Sequence, residues 1–421
     1  MTERLLQFIW QFQYFNKNEL AAVSGETLQI ISPGLYNTNQ GPDFSNAKIR
    51  IDNTMWAGTV ELHIRTSDWK KHQHQLDHNY KNVVLHVVWE DDAPANDIPV
   101  LELKSRVAKL LLQRYSELMN SSSFIACEKN IHSVPDLTWK SWKERLLAER
   151  LLRKAAIVET YLKQNKYHWE ETFWWLLARN FGTTVNADAF EAVARSIPSA
   201  ILAKQKYQLH QVEALLLGQA GLLDRQFEED YPRLLQREYD FQQIKHRLKP
   251  VANPFHFLRM RPGNFPTVRL AQLAMLIHTS AHLFTKIKET VSIKDVKVLF
   301  DVTANDYWHY HYRLDELSVF RKKKLGSAMV DNIIINTLAP VLFAFGHYHQ
   351  EQKYMNRALQ WLEQTDGERN SVIDGFIQLD IENKSSYDSQ GLIELKTQYC
   401  DKKRCLDCGV GNFLLKNSDN R

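Results

Sequence analysis

Three groups of residues combine side-chain types and spacings that can do chemistry. In the first, Gly41-Pro42-Asp43-Phe44 precedes Glu61-Leu62-His63, with seventeen residues between Asp43 and Glu61. Glu61 and His63 stand two apart, which puts both on one face of an extended strand. If the strand that Asp43 opens lies beside the one carrying Glu61, both carboxylates and the imidazole converge. Two carboxylates on adjacent strands suit Mg²⁺ or Mn²⁺, hard ions that take oxygen ligands and keep waters for chemistry. Such an ion acidifies a bound water and stabilises charge on a phosphoryl oxygen, with His63 placed to orient or deprotonate that water. The bland alternative is a turn before a strand at Gly41-Pro42-Asp43 and an exposed strand face at Glu61.

The second group lies just downstream, where Asp68, His72, His74, Asp77 and His78 crowd a polar stretch from Ser67 to Lys81. Read as a helix capped at Ser67-Asp68, the stretch sets Asp68 and His72 four apart and His74, Asp77 and His78 on one face. With His63 and His86 these histidines would form a second metal site or the polar wall of a cleft; a solvated helix face is the alternative. The third group is Cys400, Cys405 and Cys408, followed by Gly409 and interleaved with Lys402, Lys403 and Arg404. Three thiols within nine residues read as a knuckle around a soft metal, with the cations lowering the thiolate pKa and Cys127 as the fourth ligand. Four thiolates serve Zn²⁺, the first expectation, or an iron–sulfur cluster, the second; no metal, or thiol–disulfide exchange, is the alternative.

The elements that must position these groups follow from periodicity. An apolar helix over about residues 5–22 precedes strands at Leu28–Ile31, Ala47–Ile51 and Thr59–Ile64, the last two alternating and joined by a turn at Asp52-Asn53. Val83–Trp89 is an almost continuous apolar run, as in a strand buried on both faces, and Val100–Leu103 is one more. A helix over about 106–119 ends at Asn120-Ser121-Ser122-Ser123, and beyond it the pattern turns helical. Leu147, Leu151, Val158 and Leu162 mark one such helical face. Further helices run to about residue 365, broken by a Pro-rich stretch at 249–266. The expected fold class is α+β: a small mixed α/β domain over 1–120, then a larger all-helical domain over 121–421 closed by the cysteine knuckle.

Composition bounds the function. The chain has 421 residues, 44% hydrophobic and 24% charged, enough for two or three cored domains. A formal net charge of +4 is too small to argue for a polyanionic partner by itself. The charge is uneven, however: residues 1–105 hold 9 basic against 13 acidic side chains and five of the sixteen histidines. No apolar run reaches the ~18 residues of a membrane span, since Asn336, Thr337 and Pro340 interrupt the nearest approach, so no membrane partner and a cytoplasmic location are expected. Four cysteines are too few for a disulfide scaffold.

Pro42-Asp43, then Glu61-x-His63, in an order of helix, three strands, helix and strand, resembles the PD-(D/E)XK nuclease fold. The resemblance covers about a quarter of the chain. It implies that Asp43 and Glu61 bind Mg²⁺ and that His63 stands where that family has a lysine assisting the nucleophilic water. It also implies that Gln73, Gln75 or Tyr80, on the segment backing the site, contacts a nucleic-acid backbone. Some iron–sulfur nucleases are similar in pairing a distant cysteine with a C-terminal trio. Over its whole length the chain also resembles an uncharacterised bacterial family carrying only a domain-of-unknown-function label. The residues concerned are Gly41–Phe44, Glu61–His63, Ser67–Trp69, Arg179–Gly182, Asn264–Pro266 and the Cys400–Cys408 knuckle.

In the helical part, Arg259, Arg261 and Arg269 lie among Phe255, Phe257 and Phe265, a mixture suited to gripping phosphates and stacking bases. A packed loop is the alternative there. The leading expectation is therefore Mg²⁺-dependent hydrolysis of DNA or RNA phosphodiesters, with Asp43, Glu61 and His63 catalytic. Its rivals are a non-enzymatic nucleic-acid-binding or scaffold protein on a degenerate nuclease fold, and a hydrolase of a small phosphorylated substrate that uses the histidines.

Overall fold

In a computed structural model describing residues 1–93, 98–280 and 282–416, the chain forms two compact units, 1–142 with 395–421, and 143–394. The α+β character and the larger helical part agree with the sequence. The N-terminal unit runs on past residue 120 to Trp142 and takes in the C-terminal cysteine segment.

The N-terminal unit is built on a mixed sheet. Its strands are β1 (Leu28–Ser32), β2 (Leu35–Tyr36), β3 (Phe44–Ile51), β4 (Thr54–Arg65), β5 (Val83–Glu90) and β6 (Val100–Glu102). The spatial order is β1-β3-β4-β5-β6, with β2 also on β3. β3 pairs antiparallel with β1 and β4 through a turn at Asp52, whereas β4 to β5 and β5 to β6 are parallel. The register sets Phe44 against Val60 and Glu61 against His86. A bulge between Phe44 and Ala47, with Asn46 at φ 57°, bends β3 just after Asp43.

Helix α1 (Glu3–Phe12) is shorter than its apolar pattern suggests, because Gln13 turns left-handed and closes it on the Ile9 and Trp10 carbonyls. Leu5, Leu6, Phe8, Ile9 and Trp10 share one core with Val60 and Leu62 of β4 and with Leu85 and Val87 of β5. Leu406 and Leu415, on the returning C-terminal segment, belong to that core as well. Tyr14 donates to Asn412 at 2.9 Å, Arg114 to the Leu414 carbonyl at 3.3 Å, and Arg4 pairs with Asp407.

The expected single helix over Ser67–Lys81 is not formed. The chain makes one short turn, α2 (Asp68–Lys71), then two 3₁₀ turns at His74–Leu76 and His78–Tyr80, because Gln73 adopts φ 61°. Leu76 is the stretch's one aliphatic residue and is exposed, so little apolar surface is on offer to hold a continuous helix in place.

The helical unit buries Leu147, Leu151, Val158 and Leu162, the face expected from their spacing, together with Phe173, Phe181, Leu215 and Trp361. Glu213 at its centre is fully buried. Its carboxyl accepts bonds from Tyr231 Oη (2.8 Å), Asn305 Nδ2 (2.9 Å) and Trp308 Nε1 (3.1 Å). Ser327–His349 forms one continuous helix of 23 residues, long and apolar enough by length and composition to cross a membrane. Of its most apolar window, 72% is buried within the protein, which makes it a core helix of this unit. Its middle, Ile334–Leu338, widens into a π-turn just ahead of Pro340, whose missing N–H breaks the regular ladder.

Gly58 sets how closely β4 approaches β5: a Cβ there would come within 2.5 Å of the Asn82 carbonyl and of Val84 Cγ1. Gly58→Ala is therefore expected to lower stability by about 1–3 kcal/mol, read by chemical denaturation. An unchanged midpoint would contradict the tight approach.

Candidate metal centre

β4 is buried on both faces in its middle. Val60 and Leu62 enter the apolar core, while Glu61 (6% exposed) and His63 (2%) point to the other side, against Trp69 of α2. Asp43, at the mouth of β3, meets Glu61 as the strand order requires: its own backbone N–H donates to Glu61 Oε2 at 3.0 Å. The Asp43 carboxylate accepts from Gln7 Nε2 (2.8 Å) and the Leu62 backbone N–H (3.1 Å), and Tyr36 Oη holds Gln7 at 3.2 Å.

The two groups read separately in the sequence are one cluster. His63 Nε2 lies 3.1 Å from His72 Nδ1, 3.3 Å from His74 Nε2 and 3.5 Å from Glu61 Oε1; His74 Nε2 is 3.6 Å from the same carboxylate oxygen. Ligand atoms of His63, His72 and His74 all fall within 4.8 Å of one another. On its far side, His63 Nδ1 is 2.9 Å from His86 Nε2, a bond that fixes the ring so that Nε2 faces the cluster. His72 is exposed and His74 half-buried, so the cluster opens to solvent on that side. Asp77 and His78, expected on the same face as His74, are not part of it; Asp77 caps the Asn79 N–H instead. The left-handed Gln73 brings both His72 and His74 inward, an arrangement a regular helix would forbid to residues two apart.

Electrostatics show what the cluster lacks. Burial, then the Asp43 charge, pushes the Glu61 carboxyl up to about 8, and burial raises Asp43 to about 6. Burial, reinforced by the neighbouring imidazoles, lowers His63 to about 3, and His86 falls to about 4 mainly through burial. A Glu61 carboxyl held neutral beside imidazoles held neutral describes a pocket that disfavours further charge of either sign unless a cation is supplied. A divalent ion fits that donor set.

Tyr80 stacks on His74 at 3.9 Å between ring centroids, and burial followed by the Glu61 and Asp43 charges lifts its phenol to about 12. Gln73 is exposed beside the cluster. Arg259 and Arg261 are exposed in the helical unit, on a segment tied down by Asn186, which bonds His256 through both backbone groups. Arg269 is not a surface grip as expected. It is 8% exposed and bonds Gln272 (3.0 Å) and Asn264 (2.6 Å), because it opens a core helix of that unit. Gln7 and Tyr36 were not signalled by the sequence; no motif distinguishes a Gln inside an amphipathic helix.

Cys127, Cys400, Cys405 and Cys408 share one neighbourhood of the N-terminal unit, where each of Cys127 and Cys400 feels Cys405 and Cys408. All four are free thiols. The adjacent cations do not lower their pKa overall: burial pushes Cys127 up to about 12 and Cys408 to about 11, and raises Cys400 and Cys405. Lys402, Lys403 and Arg404 are directed to Gln398, the Ser121 carbonyl and Asp407. Cys408 accepts backbone N–H bonds from Val410 and Gly411, and a Cβ at Gly411 would fall 2.2 Å from the Cys405 carbonyl.

The Glu61 shift has a pH consequence for the metal-free protein. A carboxyl raised from 4.5 to about 8 makes the folded state bind the extra proton, so its contribution is complete below 4.5 and is lost as pH rises to about 8. The lowered His63 and His86 act oppositely, losing stability as pH falls from 6.5 toward 4 and below. Thermal melts with a chelator should show the alkaline decline in the wild type and a shallower one in Glu61→Gln. Identical slopes would contradict the burial of that carboxyl.

No curated protein and no solved structure matches the chain. A family model described as "Protein of unknown function (DUF2851)" matches residues 3–371, which include Asp43, Glu61 and the histidines but end before the cysteine trio. Matched over most of its length, the chain belongs to the DUF2851 family.

Proposed function

We propose that the N-terminal unit is a metal-dependent hydrolase of nucleic-acid phosphodiesters. Glu61 Oε1, His63 Nε2, His72 Nδ1 and His74 Nε2 hold the ion, and Asp43 is the additional oxygen donor. The observation that carries this reading is that His63 Nε2 lies 3.1–3.5 Å from the other three donors and His74 Nε2 3.6 Å from Glu61 Oε1, with ligand atoms of the three imidazoles within 4.8 Å of one another. Metal–nitrogen bonds of about 2.0–2.1 Å directed to a tetrahedron have edges of about 3.3 Å. Three imidazoles and a carboxylate suit Mn²⁺, Fe²⁺ or Zn²⁺ better than the Mg²⁺ expected from the acidic pair alone.

The strand arrangement supports the nuclease resemblance. Asp43 opens β3, Glu61 sits mid-β4, and β5 runs parallel to β4 after the intervening turns. His63 departs from the role expected of it, because both its ring nitrogens are engaged and it is a better ligand than base. A bound divalent ion would supply an acidified water and neutralise charge building on the phosphoryl oxygens. The chain's own residues do the rest. His86 orients His63, and Gln7 and the Leu62 N–H hold Asp43. The protonated Tyr80 phenol donates toward the phosphate at the open side, where Gln73 is exposed. Arg259 and Arg261 remain the backbone contacts in the helical unit, and the protein acts in the cytoplasm.

Cleavage of labelled single- and double-stranded DNA and RNA, with Mn²⁺, Zn²⁺, Mg²⁺ or EDTA, tests the reading. Because losing a group that merely orients a ligand costs about 10–100-fold, Glu61→Ala and His74→Ala should each lower metal-dependent cleavage by about 100-fold or more. Retained binding without cleavage of any substrate would instead favour a nucleic-acid-binding protein that has kept the fold and lost the chemistry.

We also propose that the four cysteines hold a structural Zn²⁺ or iron–sulfur cluster. The N–H bonds from Val410 and Gly411 to Cys408 favour its thiolate. Purified protein should carry about one equivalent of Zn²⁺, or about two or four of iron, bound at the thiolates, with Cys405→Ser losing it and melting lower; visible absorbance separates the two metals. A metal-free protein of unchanged melting temperature would remove the proposal.

A further inference from the structure

The helical unit contains a cavity of about 660 Å³, in the size range of small-ligand sites. Part of its lining is apolar, from Ile157, Val158, Leu176 and Val341, and part is polar, from Lys154, Asn180, Asn264, Arg269, Asn336 and Thr337. The π-turn ahead of Pro340 contributes Asn336 and Thr337, and such turns recur at functional sites because they widen a helix and re-aim its side chains.

Charge in this lining is unbalanced. Arg179 also borders the cavity, but Asp188 (2.6 Å) and Glu191 (2.7 Å) satisfy it. Arg269 is different: among the described residues its two terminal nitrogens reach only the neutral Gln272 and Asn264, and its buried Nε has no hydrogen-bond partner. Lys154 bonds the neutral Asn336 (3.0 Å) and Gln390 (3.2 Å). Of the acids that act on Lys154 at longer range, Glu394 is paired with Arg150 and Arg153, and Glu368 reaches it only through the shared Gln390 amide. Arg269 is buried and Lys154 half-buried, neither with an ion-pair partner among the described residues, and a dianion between them offsets the cost of holding them there. Asn180 Oδ1, buried and without a partner, adds an acceptor for a hydroxyl or amine on the same ligand.

We propose that this cavity binds a phosphomonoester of nucleotide size. Its phosphate lies between Arg269 and Lys154, and its organic part lies against Ile157, Val158, Leu176 and Val341. The site stands independently of the reading of the N-terminal metal centre.

Calorimetric titration of the full chain with adenosine 5′-monophosphate, inorganic phosphate and adenosine tests it. Saturable one-site binding of the nucleotide, tighter than either part alone, is expected. Lys154→Met removes a charged contact, and Ala328→Phe fills the lining at an exposed position; each should weaken binding by about tenfold or more with the melting temperature unchanged. Arg269→Gln should abolish binding, and if it does not fold, the other two variants decide. No saturable binding at millimolar nucleotide, phosphate binding as tightly as the nucleotide, or affinity retained in both Lys154→Met and Ala328→Phe would overturn the proposal.

Discussion

Removing ionisable groups from water forces them either to pair or to stay neutral, and the middle of β4 imposes that choice on Glu61 and His63. The strand sits between two neighbours, with apolar α1 covering one face and Trp69 of α2 packed on the other, so its polar face is dehydrated as well. Glu61 answers with a carboxyl near 8 and His63 with an imidazole near 3, shifts in opposite directions from a single cause. Asp43 adds a second buried acid beside the first. A site of this kind is expensive to keep in a fold unless an ion offsets it, which adds to what the spacing of the donor atoms already says.

Much of this was visible in the sequence. The apolar run Val83–Trp89 marked a strand buried on both faces, and Glu61 and His63, two apart, were bound to share a side once they lay in a strand. Asp43 beside Glu61 followed from neighbouring strands. What escaped was tertiary in origin. The polar stretch 67–81 carries a helical capping signal, yet it offers no apolar face to pack, and a left-handed Gln73 turns His72 and His74 inward. The spacing of two between those histidines was the available hint, since it suits a turn and not a helix face. The pairing of Cys127 with the cysteine trio was the one hint that residues past 394 return; the bonds that hold them, such as Tyr14 to Asn412, span nearly the whole chain and leave no local signal. Arg269 misled for a related reason: its aromatic and basic neighbours resemble a phosphate-gripping loop, but it belongs to a helix whose face is core.

The helical unit obeys the same rule with different residues. Glu213 is as buried as any group in the protein, yet three donors satisfy it, so it reads as a structural tie. Arg269 and Lys154 have only neutral partners, and the cavity they border is shaped by a π-turn that a proline forces on an otherwise apolar helix. Whether a buried charge is met inside the protein separates scaffold from site in both units.

Anomalous diffraction from crystals grown with Zn²⁺ or Mn²⁺ tests the metal centre most directly. The account predicts a peak within about 2.0–2.3 Å of Glu61 Oε1, His63 Nε2, His72 Nδ1 and His74 Nε2, lost in His74→Ala. Density for metal at the cysteines alone, with the histidine cluster empty at saturating ion, would contradict it.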